Sequence, residues 1–311
     1  EGTLYYIYDV AGSELNDTIQ LSGSMTVGGS VLEQISKEIL FGWNEKFRNR
    51  QVSIAECIRE MVGPKRLDVG GRLSERIGQL IGDVLEPAYY YQNELLPNPY
   101  YFLINTNGPL GKNINAVIGN VHGDLNCKNV IVNKNYLNNN FEIYLIDYSH
   151  YNSSGFLFFD NAYLQLNLLL TGAAAANVFE WFTDIAALAS TNGKKNHLIK
   201  YISDGVFGFI NKCQPKNKDN CMIQYMSANI AAGLNWMNKS GNDKIMQVLC
   251  FLYASVYLKQ LLIMLHYKFE IETDCKLTFL GGSKERGIWE ILNHFNTVEN
   301  RYILLTSCDT D

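Results

Sequence analysis

The sequence lacks an excess of positive charge. Its 311 residues include 26 Lys and Arg against 31 Asp and Glu, which gives a formal net charge of -5 at pH 7. A chain of this kind has no overall basic field that would attract nucleic acid or anionic lipid. We therefore expect no nucleic-acid partner.

Paired cysteines are also missing. The seven cysteines are an odd number, are widely scattered, form no Cys-x-x-Cys pair and have no histidine nearby at ligand spacing. This pattern is typical neither of a disulfide framework nor of a zinc site. The sequence predicts reduced thiols in a cytoplasmic protein.

Targeting and membrane signals are absent as well. The chain opens with the acidic stretch EGTLYYIYDV, which is no secretory signal, and it has no initiator Met. We expect a piece of a longer or processed polypeptide that contains other domains. The most apolar stretch, residues 245–268, is interrupted by Gln247, Lys259 and Gln260, so it falls short of the roughly 20 apolar residues of a membrane span. We predict no membrane partner and a helix buried on most of its faces.

What the chain does contain is enough apolar sequence for a sizeable core, at 47% hydrophobic and 12% aromatic residues. Apolar residues recur every four positions over 31–47, which predicts a helix with Ser30 as its N-cap. Ser53 and Glu56 form a capping-box pattern for a second helix, and residues 72–85 predict a third.

The remainder divides into a strand-rich middle section and a helical part. Residues 117–148 are strand-like and broken by turns, with the Asn-rich stretch NKNYLNNN as a hairpin tip. From residue 156 to 270 the pattern is helical, with Gly, Asn and Pro breaks between segments. The fold class predicted is α+β, mostly α.

A group of polar residues interrupts the apolar pattern of the middle section. The stretch VHGDLNCKNVIV contains Asp124 and Asn129, and a second apolar strand, IYLI, leads to Asp147. Phosphoryl transfer needs a carboxylate for the proton of the acceptor hydroxyl and oxygen ligands for Mg²⁺ at the nucleotide phosphates. We expect a loop between two paired strands to carry Asp124 and Asn129, and a hairpin to bring Asp147 beside Asn129.

The pattern HGDLNCKN followed by LIDY resembles the catalytic loop and metal-binding strand of the protein-kinase-like superfamily, in its aminoglycoside, choline and homoserine kinase-like branch. The resemblance implies that Asp124 is the catalytic base, that Asn129 and Asp147 bind Mg²⁺, and that His122 supports the loop. It also implies that Asp160, in FFDNAYLQLNLLL, has a structural role at the start of a helix, which we expect it to cap.

The resemblance also implies the domain organisation. A kinase-like domain without a recognisable amino-terminal lobe would occupy residues 1–275, and residues 276–311 would be a linker or the start of a following region. Within that domain we expect a hinge-like strand at 1–12, the catalytic and metal centre at 117–150 and a helical lobe at 156–270. The stretch LYYIYDVAG resembles the hinge strand of the superfamily, so the adenine of ATP would contact the backbone near Asp9, Val10 and Gly12.

Three features depart from the family pattern. Gly123 stands where protein kinases use an Arg to bind a phosphorylated activation loop, so we expect no such control. Tyr148 and Ser149 follow the metal-binding strand in place of Phe-Gly. The sequence shows no glycine-rich strand pair and no Lys-bearing strand before a Glu-bearing helix. If LYYIYDVAG is the hinge strand, we expect the lobe that grips ATP to lie upstream of Glu1 or to be lost.

Two functions remain open. The first is a Mg-ATP-dependent phosphotransferase for a small-molecule or protein hydroxyl acceptor, within a larger multidomain protein. The second is a catalytically silent kinase-like module for binding or sensing in a bacterial defence or signalling protein. The three retained polar residues, Asp124, Asn129 and Asp147, favour the first, and the absence of the upper lobe favours the second.

Smaller features also leave alternatives. Residues 23–30, GSMTVGGS, have the glycine spacing of a phosphate loop but no Lys before the Ser, which favours an ordinary loop. His150 could contact the substrate or could be a polar residue of the segment after the metal-binding strand. The tyrosines at 89–91 could form an aromatic platform or pack in the core.

Overall fold

The computed structural model describes residues 18–23, 29–91, 94–105, 107–133, 142–173, 185–186, 189, 200–239 and 244–269. The predicted hinge-like strand with Asp9, Val10 and Gly12 lies outside these residues. So do the Asn-rich hairpin tip and the region 276–311.

Helices predominate in a mixed α and β fold, as the sequence predicts. The α-helices of the described residues are α1 (Gly29–Lys37), α2 (Ile54–Val62), α3 (Arg72–Ile81), α4 (Pro99–Ile104), α5 (Phe159–Ala173), α6 (Lys200–Cys213), α7 (Lys218–Asn238) and α8 (Lys244–Met264). The strands are β1 (Thr18–Gln20), β2 (Arg48–Ser53), β3 (Ala88–Tyr91), β4 (Glu94–Pro97), β5 (Asn113–Val121), β6 (Val130–Asn133), β7 (Ile143–Leu145) and β8 (Asn152–Phe156).

The strands of the described residues form small antiparallel sheets with the orders β1-β6-β7, β2-β5-β8 and β3-β4. Strands β2 and β8 pair with β5, and strands β1 and β7 pair with β6. The expected pairing of the two strands that flank the polar loop is therefore wrong, because both edges of β5 and both edges of β6 are bonded to other strands. The predicted hairpin of β6 and β7 is confirmed.

Local signals determine the ends of α2 but place the end of α3 incorrectly. The Ser53 hydroxyl accepts a hydrogen bond from the Glu56 N–H at 3.1 Å, as the capping box predicts, and α2 ends before Gly63. The sequence predicts that α3 continues to residue 85, but Gly82 ends it with a left-handed φ of 83°. A glycine with positive φ is a common helix stop.

The first amphipathic pattern also forms a helix, although its details differ from the prediction. Ser30 lies inside α1, which already includes Gly29, and is therefore not its N-cap. The chain then continues into a π-helical turn, Glu38–Gly42. Val31 and Ile35 are buried beneath α6, on which α1 packs.

The carboxyl-terminal helices provide much of the core. Helices α5 and α8 both pack against α7. Helix α8 is long and apolar enough to cross a membrane by length and composition, but 78% of its most apolar 18-residue stretch is buried inside the structure. It is a buried core helix, as the sequence predicts.

A buried polar network joins these three helices. The Gln165 amide nitrogen, which carries two hydrogens, lies within hydrogen-bond distance of the Asn229 side-chain oxygen at 3.1 Å and of the hydroxyls of Tyr253 and Tyr257 at 2.9 and 2.8 Å. The Tyr225 hydroxyl donates to the Gln165 oxygen at 2.8 Å. Because buried polar groups are costly unless bonded, this network defines how α5, α7 and α8 meet.

Helix α7 is also bonded directly to the central strand. The Gln224 side chain accepts a hydrogen bond from the Val117 N–H at 2.7 Å and donates one to the Val117 carbonyl at 2.8 Å. The Asn217 amide donates to the Asn115 carbonyl at 2.8 Å. These bonds hold β5, and with it the start of the polar loop, against the helices.

The tyrosines at 89–91 belong mainly to the core. Tyr89 and Tyr91 are buried, and the Tyr89 hydroxyl donates to the Ser255 hydroxyl of α8 at 2.7 Å. Tyr90 is exposed. Alternation along β3 explains the difference, because successive side chains of a strand point to opposite faces.

Candidate active site

The polar loop between β5 and β6 is anchored by Asp160 of α5. The Asp160 carboxylate is fully buried and accepts hydrogen bonds from the N–H groups of His122 at 2.6 Å and Gly123 at 2.9 Å. The expectation that Asp160 caps its own helix is wrong, because both carboxylate oxygens accept from the loop. Burial raises the pKa of Asp160 to about 6, although these two hydrogen bonds act in the opposite direction.

His122 connects the loop to the end of the hairpin. Its ring is buried, and Nε2 lies 2.7 Å from the Ile146 carbonyl oxygen. The Asp124 N–H donates to Nδ1 at 3.4 Å, so the hydrogen of the neutral ring is on Nε2 and is donated to Ile146. The ring also packs against Tyr148, with centroids 5.3 Å apart. His122 therefore makes structural contacts on both sides of the loop.

Gly123 occupies a position that admits no side chain. Its φ is 81°, and a Cβ atom placed there would lie 2.4 Å from the carbonyl oxygen of His150. Left-handed backbone and this close approach both require glycine. Gly123 thus allows the loop to pass directly beside the segment that follows the hairpin.

Asn129 closes the loop. Its side-chain nitrogen donates to the main-chain oxygen of Asp124 at 2.9 Å, and the side chain is buried. Asn126 makes a parallel contact, donating to the same oxygen at 3.1 Å. Because the nitrogen of Asn129 is used in the loop, its side-chain oxygen is the atom that could bind a cation.

Asp147 stands at the end of β7, next to Asn129. The Ile146 N–H donates to the Asn129 carbonyl at 3.0 Å, so the two predicted metal ligands flank one hydrogen bond of the hairpin. Asp147 has φ 62° and ψ 65°, a left-handed conformation that is uncommon outside glycine. Strained positions of this kind cluster at functional sites.

The Asp147 carboxylate is exposed and ionised at neutral pH. The Ser149 hydroxyl donates to Oδ1 at 2.7 Å, and this hydrogen bond is the main cause of a lowered pKa of Asp147. Among the described residues, no three His, Cys, Asp or Glu side chains cluster as they would around a metal held by protein alone. One carboxylate and one amide oxygen fit Mg²⁺ shared with phosphate oxygens, since Mg²⁺ commonly takes one or two protein carboxylates.

Asp124 forms an ion pair that the sequence did not indicate. The Lys239 ammonium, just after α7, lies 2.9 Å from the Asp124 carboxylate. The same ammonium lies 4.2 Å from the ring centroid of Trp236 and 5.0 Å from that of Tyr163. Aromatic faces attract cations, so these two rings hold the ammonium beside Asp124.

Asp124 and Lys239 line a cavity of about 350 Å³. Its walls also include Arg66, His150, Tyr163 and Asn235. The cavity is large enough for a small organic molecule. His150 therefore lies where it can contact a molecule bound in the cavity, which is one of the two interpretations given for it from the sequence.

The sequence missed Arg66, Tyr163, Asn235 and Lys239 because they come from separate elements and form no local motif. A Lys directly after a helix does not indicate a functional site from the sequence alone. Of residues 23–30, for which the sequence favours an ordinary loop over a phosphate loop, residues 24–28 lie outside the described residues. The structure places Asp124, Asn129, Asp147, His122 and Asp160 in one contiguous group.

Comparisons with known proteins give one similarity. Residues 51–192 match the model of a family described as ternary complex associated domain 9. The matched segment runs from β2 to beyond α5, so it includes the whole polar loop and the hairpin but not Lys239. No curated protein matches the chain, and no solved structure does.

Proposed function

We propose that the chain is the carboxyl-terminal lobe of a kinase-like phosphotransferase. It would transfer phosphate from Mg-ATP to a hydroxyl acceptor, as part of a larger multidomain protein in the cytoplasm. The observation that carries the proposal is the loop geometry. Asp160 accepts hydrogen bonds from the backbone that precedes Asp124, and Asn129 donates one to the main-chain oxygen of Asp124. The Asp124 carboxylate lines a cavity.

Each residue has a defined task under this proposal. Asp124 orients the acceptor hydroxyl in the cavity and receives its proton. The side-chain oxygens of Asn129 and Asp147 would hold Mg²⁺, which neutralises charge on the phosphates when bound. The rest of the nucleotide would contact the backbone of Asp9, Val10 and Gly12, which lie outside the described residues.

Lys239 supports a catalytic interpretation of the cavity. The Lys239 ammonium beside the Asp124 carboxylate places positive charge where phosphate oxygens would arrive. The aromatic contacts with Trp236 and Tyr163 limit where the ammonium can go. His122 and Asp160 take no part in the reaction and position the loop.

A second function, a silent module for binding or sensing, is also supported by an observation. The Asp124 carboxylate already forms an ion pair with Lys239, so its charge is balanced in the absence of a substrate. The matched family is named for association with a ternary complex. A module of this kind would use its surface in an assembly and would bind nucleotide, if at all, without turnover.

The two functions are separated by Asp124→Asn, which keeps the size of the side chain and removes its charge. In the full natural polypeptide with Mg-ATP, we expect phosphate transfer to fall by roughly 10²- to 10⁴-fold while ATP affinity, measured by calorimetry, stays nearly unchanged. Full biological activity in an Asp124→Asn, Asp147→Asn double variant would favour the silent module.

A further inference from the structure

The carboxylates that line the cavity are already paired with cations. Glu60 accepts hydrogen bonds from Arg50 at 2.9 and 2.5 Å, one on each oxygen. Asp124 accepts from Lys239 at 2.9 Å. The charge of each carboxylate is therefore already balanced by a cation, which weakens its attraction for a positively charged ligand.

Arg66 is different. It lies in the short turn after α2, lines the cavity and is solvent-exposed, so a ligand can reach it. Its guanidinium donates to the side-chain oxygen of Asn235, which is buried in α7. In the part of the chain that the structure describes, no carboxylate forms an ion pair with Arg66. A guanidinium held by a neutral amide keeps its remaining N–H donors for another acceptor, and planar oxyanions match them in pairs.

Arg66, Asp124 and Tyr163 all line the same cavity. Burial raises the pKa of Tyr163 most, the charge of Asp124 raises it further, and the charge of Arg66 lowers it. Both charges therefore act on Tyr163 within the cavity wall. One small ligand can contact both.

We propose that the phosphate acceptor is a small hydroxyl compound that also carries an oxyanion, a carboxylate or a phosphate. The Arg66 guanidinium binds the oxyanion, and the hydroxyl faces Asp124. This inference rests on the proposed phosphotransferase function and names its substrate class. In the reaction the hydroxyl oxygen bonds to the γ-phosphorus of ATP, the bond to the bridging oxygen breaks, ADP leaves with that electron pair, and the hydroxyl proton goes to Asp124.

The charges of the cavity disfavour the other acceptor classes. A cationic alcohol would meet the positive charges of Arg66 and Lys239, whereas the charges of both carboxylates are already balanced by cations, and like charges in a partly enclosed site repel. A neutral alcohol would leave the Arg66 guanidinium without its ionic contact. The preference therefore falls on anionic acceptors.

The test measures ADP release by the full natural polypeptide with Mg-ATP and matched alcohols: glycerate, glycerol phosphate, glycerol and choline. We expect kcat/KM for glycerate or glycerol phosphate to exceed that for glycerol and choline by at least about 10-fold, and comparison of these two acceptors identifies the oxyanion. Arg66→Gln should raise KM for the anionic acceptor by roughly 10- to 100-fold with a smaller effect on kcat. The control is Lys65→Gln, which removes the neighbouring exposed charge from outside the cavity wall and should change neither parameter.

The outcomes separate this inference from the proposed function. Turnover that prefers glycerol or choline, or that ignores Arg66→Gln, would overturn the oxyanion site and leave phosphate transfer standing. If no alcohol is turned over, calorimetry with glycerate and glycerol phosphate decides. Binding that Arg66→Gln abolishes supports the anion site without phosphate transfer, and absence of binding overturns it.

Discussion

The ammonium of Lys239 lies 2.9 Å from the carboxylate of Asp124, although 115 positions separate them in the chain. Neither side chain is fully buried, at 32% and 23% exposed. An ion pair of this exposure contributes little to stability, about 0–1 kcal/mol. Its importance is its place in the cavity wall, where it contributes to the charge that a bound molecule would meet.

The first prediction concerns this ion pair. Lys239→Met removes the cation and keeps most of the apolar stem, so we expect turnover in the full natural polypeptide to fall by roughly 10- to 100-fold. Lys239→Arg, which keeps the charge, should restore part of it. The matched control is Lys216→Met, at an exposed lysine away from the cavity. Equal turnover in Lys239→Met and the control would mean that the pair is only structural.

The second prediction concerns Gly123. Gly123→Ala forces a Cβ to within 2.4 Å of the His150 carbonyl at a φ of 81°, so we expect a loss of at least about 1–3 kcal/mol in the free energy of unfolding. Gly78→Ala is the control, because nothing lies within 4 Å of a Cβ at that position inside α3. It should stabilise the protein by about 0.4–1 kcal/mol. Urea denaturation measures the free energy of unfolding of both variants. Equal changes in the two variants would contradict the close approach of Gly123 to the His150 carbonyl.

The third prediction concerns the pH dependence that Asp160 produces. Because its pKa in the folded protein is raised to about 6 from 3.8, the folded state binds the proton more tightly than the unfolded chain does. The contribution of Asp160 to stability is therefore fully present below pH 3.8 and is lost as the pH rises through about 6, by up to about 3 kcal/mol.

The measurement compares thermal unfolding of wild type and Asp160→Asn between pH 4 and pH 7. The N–H groups of His122 and Gly123 each donate to one oxygen of Asp160, but an Asn side chain has only one oxygen. The variant should therefore be less stable than wild type over the whole pH range. The difference between the two proteins should shrink as the pH rises. A difference that stays constant over this range would show that Asp160 does not titrate as inferred.

The fourth prediction concerns the proposed cation ligands. Asp147→Asn keeps a residue that tolerates left-handed backbone and removes the charge, so we expect Mg²⁺-dependent ATP affinity to fall by roughly 10- to 100-fold. Ser149→Ala serves as a control that removes only the hydrogen bond to this carboxylate and should have a smaller effect. Calorimetry with and without chelator measures both. ATP binding that responds to neither the Asp147 change nor the chelator would contradict the site.

Several parts of this protein followed from short-range sequence patterns. Three predictions were correct: the capping box at Ser53, the hairpin that ends at Asp147, and the buried helix predicted over residues 245–268, which forms as Lys244–Met264. Each depends on neighbours within a few positions, where propensity and periodicity are informative. The sequence did not show which glycine ends α3, because Gly78 lies inside the helix whereas Gly82 ends it.

Long-range contacts decided the rest. Pairing of β5 with β6 was predicted and is wrong, because partners such as β2 and β1 lie far away in the chain and short-range patterns do not identify them. Asp160 was expected to cap the start of its own helix. Because α5 packs beneath the loop, the carboxylate of Asp160 instead accepts hydrogen bonds from the loop backbone. The sequence by itself determined which polar residues could perform phosphate chemistry. Only the packing of α2, α5 and α7 brought Arg66, Tyr163 and Lys239 around Asp124, because charges from separate elements meet only when those elements pack together.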